Sequence, residues 1–312
     1  MDLQLILLVI LATLTAGMIG ANNASNATAT LAGARVTTHS RAALIFGAGL
    51  ALGALLEGGK MSGAVQGMAL DGSLSPWSVG IVLGVTLGMI IIATGMGIPL
   101  PVTQALYGAA IGSGIFLGIP INLAGIAAVL ISWGLTPVAA AAASFALARL
   151  EMKFPSKDIK TSTTVYGVLT LFTGFYTAYV LGANTIGLVA GIMIDGIGWE
   201  AALALSVVSA GIGGMLFGRR VSTTIGERIA TIGPPTAFAC QLGGALTVHL
   251  FTQGGIPVSI SHAIIGGVAG GALSKGVKAL NMSSWLRLAV AWIATPILTI
   301  ALAWVIHASA AM

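Results

Sequence analysis

The residues whose types could bind a ligand come in two matched sets. Gly20-Ala21-Asn22-Asn23-Ala24-Ser25-Asn26-Ala27-Thr28-Ala29-Thr30 packs three Asn, one Ser and two Thr among Gly and Ala, and Gly182-Ala183-Asn184-Thr185-Ile186-Gly187 opens in the same way. A second polar group follows each of two Gly-Ile-Pro triplets: Thr103 and Gln104 after Gly97-Ile98-Pro99, and Ser259, Ser261 and His262 after Gly255-Ile256-Pro257. Amides and hydroxyls bind rather than attack. At a helix start they join free N–H groups and the positive end of the helix dipole in holding an anion. The residues that catalysis would need are missing: there is no His-Glu-x-x-His and no Asp pair within the apolar segments. The single Cys240 has no His at helical spacing and allows neither an intramolecular disulfide nor a cysteine metal cluster. The chain is therefore read as a binder or carrier and not as an enzyme. Small residues interleaved with amides also make helix-packing seams, and the duplication is what tips the reading towards a site.

That duplication runs through the chain. Gly20-Ala21-Asn22 recurs at Gly182, Gly53-Ala54-Leu55-Leu56 at Gly213, Gly97-Ile98-Pro99 at Gly255 and Trp133…Thr136-Pro137 at Trp292, with offsets between 158 and 162. The two tryptophans with their Thr-Pro pairs read as structural kinks rather than ligand contacts. The medium is lipid: 57% of residues are hydrophobic, 7% charged, and the mean hydropathy is +1.02, whereas soluble domains carry roughly 25% charged residues. Ten apolar segments stand out, near 3–20, 41–57, 77–95, 99–117, 121–148, 164–182, 200–217, 234–251, 257–274 and 286–307. They lack the in/out alternation of a barrel, so the fold class is all-α and polytopic.

Five segments per repeat is an odd number, so the second copy enters the membrane inverted. The chain divides into a first inverted repeat (1–150), a cytoplasmic linker (151–163) and a second inverted repeat (164–312), with discontinuous helices meeting near the bilayer midplane. Strict alternation puts twelve of the thirteen Lys and Arg residues on the side of the central loop, leaving only Lys60 across from them. Both termini then lie outside the cell. This asymmetry explains the pI of 9.7 without any nucleic-acid partner.

These motifs resemble those of the inorganic phosphate transporter (PiT) family, including its sulfate-permease relatives. The family hallmark Gly-Ala-Asn-Asp-Val-Ala-Asn-Ala is close to Gly20–Ala27 and worn at Gly182–Leu188. The family's Gly-x-Pro-Val-Ser-Thr-Thr-His is close to Gly255–His262 and degraded at Gly97–Gln104, with short-interval glycines after both. Arg220-Val221-Ser222-Thr223-Thr224-Ile225-Gly226 also looks like a family segment. The resemblance covers nearly the whole chain. It implies a permease or symporter of the cell membrane carrying a tetrahedral oxyanion, phosphate first, with a sulfate permease of the same fold as the alternative and an anion-selective channel behind. It also implies a site built from Asn22, Asn23, Asn26, Asn184, Thr185, Thr103, Gln104, Ser259, Ser261 and His262, with the lipid bilayer and a second copy as partners. Sodium or a proton is the coupling ion.

The departures carry information too. The hallmark Asp expected to help hold the coupling cation is Asn23 in one repeat and Thr185 in the other. A carboxylate within a membrane is costly and marks function, so any sodium near Asn23 and Thr185 would meet neutral oxygens only. For a proton, His262 is the best-placed carrier, ahead of His39, His249 and Glu57. Phosphate near neutral pH keeps an O–H that wants an acceptor, whereas sulfate is satisfied by donors alone. A site of donors only would thus favour sulfate.

Overall fold

The computed structural model describes residues 3–33, 37–153, 158–218, 233–276 and 282–311. Arg35, Lys157, Arg219, Arg220, Arg228 and Lys278, and the segment Arg220–Gly226, lie outside these residues. Among the described residues the chain is helical apart from one isolated bridge, Leu70 with Ile121. The first repeat contains α1 (Leu3–Gly33), α2 (His39–Glu57) with a 3₁₀ turn Gly58–Met61, α3 (Ala64–Ala69), α4 (Pro76–Gly95), α5 (Val102–Leu117) and α6 (Leu123–Glu151). The second contains α7 (Ile159–Leu181), which continues through a π turn, Gly182–Ile186, into α8 (Gly187–Ile192). There follow α9 (Ile194–Ile197), α10 (Trp199–Phe217), α11 (Pro234–Gln253), α12 (Ile260–Ser274) and α13 (Met282–Ala310).

The polar run Gly20–Thr30 does not interrupt its helix, contrary to the expected break there: α1 runs unbroken for 31 residues. Asn22, Asn23, Ser25, Asn26 and Thr28 are all buried against protein. A helix satisfies its own backbone, so polar side chains that find partners do not force it open. The breaks lie instead at the two Gly-Ile-Pro triplets. Gly97 (φ 70°) and Gly255 (φ 68°) take the left-handed conformation that ends α4 and α11. The amides of Ile98 and Ile256 reach back to the carbonyls of Ala93 and Phe251 at 2.8 and 3.0 Å. This is a helix stop that glycine makes at no steric cost. Pro99 and Pro257 lie in the connecting link; they do not open the next helix, as their spacing had implied. Pro101 and Ser259 precede the first turns of α5 and α12.

Among the described residues seven helices are long and apolar enough to cross a membrane, α4 among them. Yet α4 and α5 form a hairpin, because the start of one and the end of the other are tied together. The amide of Asp71 bonds the Pro120 carbonyl at 2.9 Å, and that of Asn122 bonds Ala69 at 3.2 Å. In α11 and α12, Gly271 likewise lies against Thr236 and Gly267 against Cys240, the single buried thiol. The hairpin tips touch α1 at Asn22 and α6 at Trp133. At 1.5 Å per residue, each contact is about 15 Å from the nearer end of the long helix it touches. The tips are therefore internal, and three full crossings remain in each repeat. Replacing two spans by one hairpin preserves parity, so the inversion stands.

The two repeats pack by exchange. α1 packs on α10 as α7 packs on α2, and α12 packs on α6 as α13 packs on α5. Recurrent glycines sit at these crossings. A Cβ on Gly20 would fall 1.9 Å from the Ala210 oxygen, and one on Gly182 would fall 2.0 Å from the Leu50 oxygen. Gly53 meets Tyr179 at 1.8 Å, as its counterpart Gly213 meets Gly17 at 1.8 Å. Gly53→Ala should therefore cost about 1–3 kcal/mol or more through overpacking. Gly47→Ala on the same helix, with open space around it, should be neutral or gain about 0.5–1 kcal/mol. Thermal unfolding of the two variants in detergent checks this, and equal melting temperatures would refute the close crossing.

Candidate anion site

Asn22 joins α1 to the first hairpin tip by three bonds. Its Nδ2 donates to Thr94 Oγ1 at 3.0 Å and to the Ile98 carbonyl at 2.9 Å, and its Oδ1 accepts from the Leu100 amide at 2.8 Å. Asn184 repeats part of this in the second copy, where its Nδ2 donates to Thr252 Oγ1 at 2.9 Å and approaches the Met61 sulfur at 3.8 Å. Thr94 and Thr252 stand at the same offset, three residues before each helix-ending glycine. Sequence reasoning passed over both, although their recurrence at that spacing was the available signal.

One residue on, α1 grips the other hairpin. Asn26 Nδ2 donates to Asn23 Oδ1 at 2.9 Å and to Ser261 Oγ at 3.1 Å, and Ser261 Oγ donates to Asn23 Oδ1 at 3.4 Å. Asn23 Nδ2 is committed to the Ile19 carbonyl at 3.2 Å, which fixes which amide atom is oxygen and which is nitrogen throughout the cluster. Residues 22 and 26 are about 6 Å apart along a helix, so α1 brings both hairpin tips to one place. Two helix N-termini, those of α5 and α12, start there with their first N–H groups and positive dipole ends inside the protein.

The remaining predicted residues belong to these two first turns or adjoin Asn184. Thr103 and Gln104 are buried in the first turn of α5. Ser259 caps α12, its Oγ accepting the His262 amide at 3.4 Å. The His262 ring lies 4.0 Å from that of Trp292. Thr185 is buried beside Asn184 in the π turn. The recurrent tryptophans hold the second hairpin's link and first turn from opposite repeats: Trp133 Nε1 donates to the Pro257 carbonyl at 3.2 Å, and Trp292 lies against His262 with its ring tilted by 44°. Pro137 and Pro296 stay inside α6 and α13.

Several buried polar atoms here have no hydrogen-bond partner among the described residues. They are Asn26 Oδ1, Thr103 Oγ1, Gln104 Oε1, Asn184 Oδ1 and both ring nitrogens of His262. Orphaned buried groups cost about 1–3 kcal/mol each, so such a group of them is what a ligand site leaves when described alone. Three are amide oxygens, so the buried surface offers acceptors as well as donors. Among the described residues no group of three His, Cys, Asp or Glu could hold a metal ion.

A duplicated, polytopic helical protein whose inverted repeats bring two broken-helix tips to one polar interior point has the architecture of a secondary transporter. The chain belongs to the phosphate transporter family, whose model matches it twice, over residues 19–161 and 150–303. Similar proteins include one from Methanocaldococcus jannaschii, provisionally named a phosphate permease. It is 25% identical over 93% of this chain and 92% of its own length. A protein of the same provisional name from Pyrococcus abyssi is 27% identical over 95% of both. A solved structure named as a sodium-dependent phosphate transporter superposes with a TM-score of 0.86 over 97% of this chain and 98% of its own, at 22% identity. That last likeness bears on the fold.

Proposed function

We propose that this protein carries inorganic phosphate across the membrane it spans, binding it where α1 meets the first turns of α5 and α12. The observation that carries this reading is the set of buried amide oxygens without a partner on the elements gathered around the hairpin tips, together with the helix-end donors of α5 and α12. The three oxygens of Asn26, Gln104 and Asn184 provide acceptors for the phosphate O–H. Sulfate has no proton to give them and would leave them buried and unpaired. The free backbone amides of α5 and α12, with the Thr103 and Ser259 hydroxyls, bind the unprotonated oxygens, joined by the Ser261 hydroxyl when it turns to the anion from Asn23 Oδ1. His262 adds a ring nitrogen on the same turn. The basic residues support an orientation with both termini outside.

The neutral hallmarks leave little for sodium. Asn23 Oδ1 already carries two donors, Asn26 Nδ2 and Ser261 Oγ, and a cation wants oxygens that are free. Uptake of labelled phosphate and labelled sulfate into proteoliposomes, with sodium and proton gradients imposed separately, tests the whole reading. Gradient-driven accumulation of phosphate over sulfate is expected; downhill flux without accumulation would make the protein a channel. Ser261→Ala removes one hydroxyl but leaves the helix dipole and backbone. It should weaken apparent phosphate affinity by roughly 2–10-fold, equivalent to about 0.5–1.5 kcal/mol, without abolishing transport. An unchanged affinity would place Ser261 away from the anion.

A further inference from the structure

A cluster of ionisable side chains lies beside the site rather than in it. Glu57 ends α2, and its Oε2 receives His249 Nε2 at 3.0 Å and Gln253 Nε2 at 2.6 Å, both from α11. Lys60 Nζ stands 3.4 Å from the same oxygen and also donates to Gln253 Oε1. On the far side of the imidazole, His249 Nδ1 bonds the Tyr176 hydroxyl of α7. Tyr179 borders the ring, with centroids 5.9 Å apart, and faces Glu57. These five ionisable groups, Glu57, Lys60, His249, Tyr176 and Tyr179, are the ones that meet here.

Three features set this cluster apart from structural glue. It exists at one end of the pseudo-symmetric molecule only: at the repeat offsets, Glu57, His249, Tyr176, Tyr179 and Gln253 correspond to Phe217, Ile91, Leu14, Gly17 and Gly95. It contains Lys60, the single basic residue that the charge asymmetry places across the membrane from the others. It is also joined to the anion site twice. His249 is one helical turn before Thr252, which holds Asn184, and Lys60 adjoins Met61, whose sulfur touches the same amide.

We propose that His249, paired with Glu57, is the proton-binding site that couples proton entry to phosphate transport; this rests on the phosphate reading above. In the neutral imidazole Nε2–H donates to Glu57 and Nδ1 accepts from Tyr176. When a proton from the outer solution binds Nδ1, the imidazolium donates to both neighbours, because a tyrosine oxygen accepts as readily as its hydroxyl donates. Glu57 and Lys60 offset one another, so that proton adds a net positive charge beside the anion site. Anion and proton therefore each raise the other's affinity by the same factor. After the site opens inward and phosphate leaves, the charge is no longer compensated and the proton follows. This supplies a coupling cation for a protein with Asn23 and Thr185 in place of the hallmark carboxylates.

The test uses the full chain in proteoliposomes at fixed external pH, with internal pH varied so that the external phosphate species stays constant. The wild type should accumulate labelled phosphate when the lumen is alkaline. His249→Gln and Glu57→Gln should lose that accumulation by roughly tenfold, within the usual range of coupling, yet at equal pH and saturating phosphate exchange labelled for unlabelled phosphate as the wild type does. Wild-type accumulation indifferent to the proton gradient would overturn the proposal and leave phosphate transport standing, as would variants that remain coupled. A wild type that does not exchange phosphate at all would overturn both. Should the variants fold poorly, proton uptake by the purified wild type on adding pH-matched phosphate in weak buffer decides the matter. A dye signal is expected with phosphate, and none would refute the site.

Discussion

Asn22→Ala should reduce phosphate uptake by more than an order of magnitude and lower the melting temperature. The side chain is fully buried and makes three bonds to the first hairpin tip. Deleting it strands the buried Leu100 amide and the half-buried Ile98 carbonyl. Each stranded group costs about 1–3 kcal/mol, so a combined loss of about 2–6 kcal/mol is expected. That loss falls on the contact that positions the first turn of α5, hence on Thr103 and Gln104. Asn22→Asp separates geometry from volume. One oxygen keeps the Leu100 bond, while the other meets the Ile98 carbonyl that the amide nitrogen served. Asn184→Ala should be milder in stability, because that side chain makes fewer bonds and its Oδ1 has none to lose. Uptake per folded molecule and thermal unfolding of the three variants check this order. Wild-type uptake by Asn22→Ala would remove the residue from the site's framework.

Restoring the family carboxylates with Asn23→Asp and Thr185→Asp together should raise sodium dependence and sharpen preference for phosphate over sulfate. The local geometry accommodates the first change. Aspartate at position 23 keeps both accepted bonds, from Asn26 Nδ2 and Ser261 Oγ, and gives up only the donation to the Ile19 carbonyl. Its second oxygen then faces the Ile19 carbonyl that the amide nitrogen served, a pair of oxygens that a cation or a phosphate O–H would relieve, and its charge repels fully ionised sulfate. The cost of a buried carboxylate, about 2.5–3.5 kcal/mol on insertion scales, is offset in part by those two donors. Initial rates with and without a sodium gradient, for each anion, are the measurement. A folded double variant with an unaltered anion ratio and sodium response would show that selectivity is set by other residues.

The segments that meet at the candidate site were legible before any coordinates. The recurrence of Gly-Ala-Asn and Gly-Ile-Pro at a nearly constant offset named the two parts that meet, because membrane helices that cross closely need glycine and those that stop inside need a left-handed residue. The position of the break was not legible. The run Gly20–Thr30 looks polar enough to open a helix, and only its neighbours decide that it need not. The Asn22 side chain is held by residues at least 72 positions away, and Asn26 Nδ2 by Ser261 of the other hairpin as well as its neighbour Asn23. The ten apolar segments likewise conceal two hairpins, since hydropathy measures length and apolarity and not whether a helix turns back.

The sequence by itself determined that the chain lives in lipid, that it is duplicated and inverted, and which glycines and prolines must be special, because each follows from composition, parity or backbone sterics. Only the tertiary structure decided which amide atoms are spent on holding the hairpins and which remain unpaired. It also decided that Glu57, Lys60, Tyr176, Tyr179, His249 and Gln253, spread over nearly 200 residues of chain, share one cluster. Hydrogen-bond partnership depends on distance and direction in space, and neither residue type nor spacing along the chain contains them.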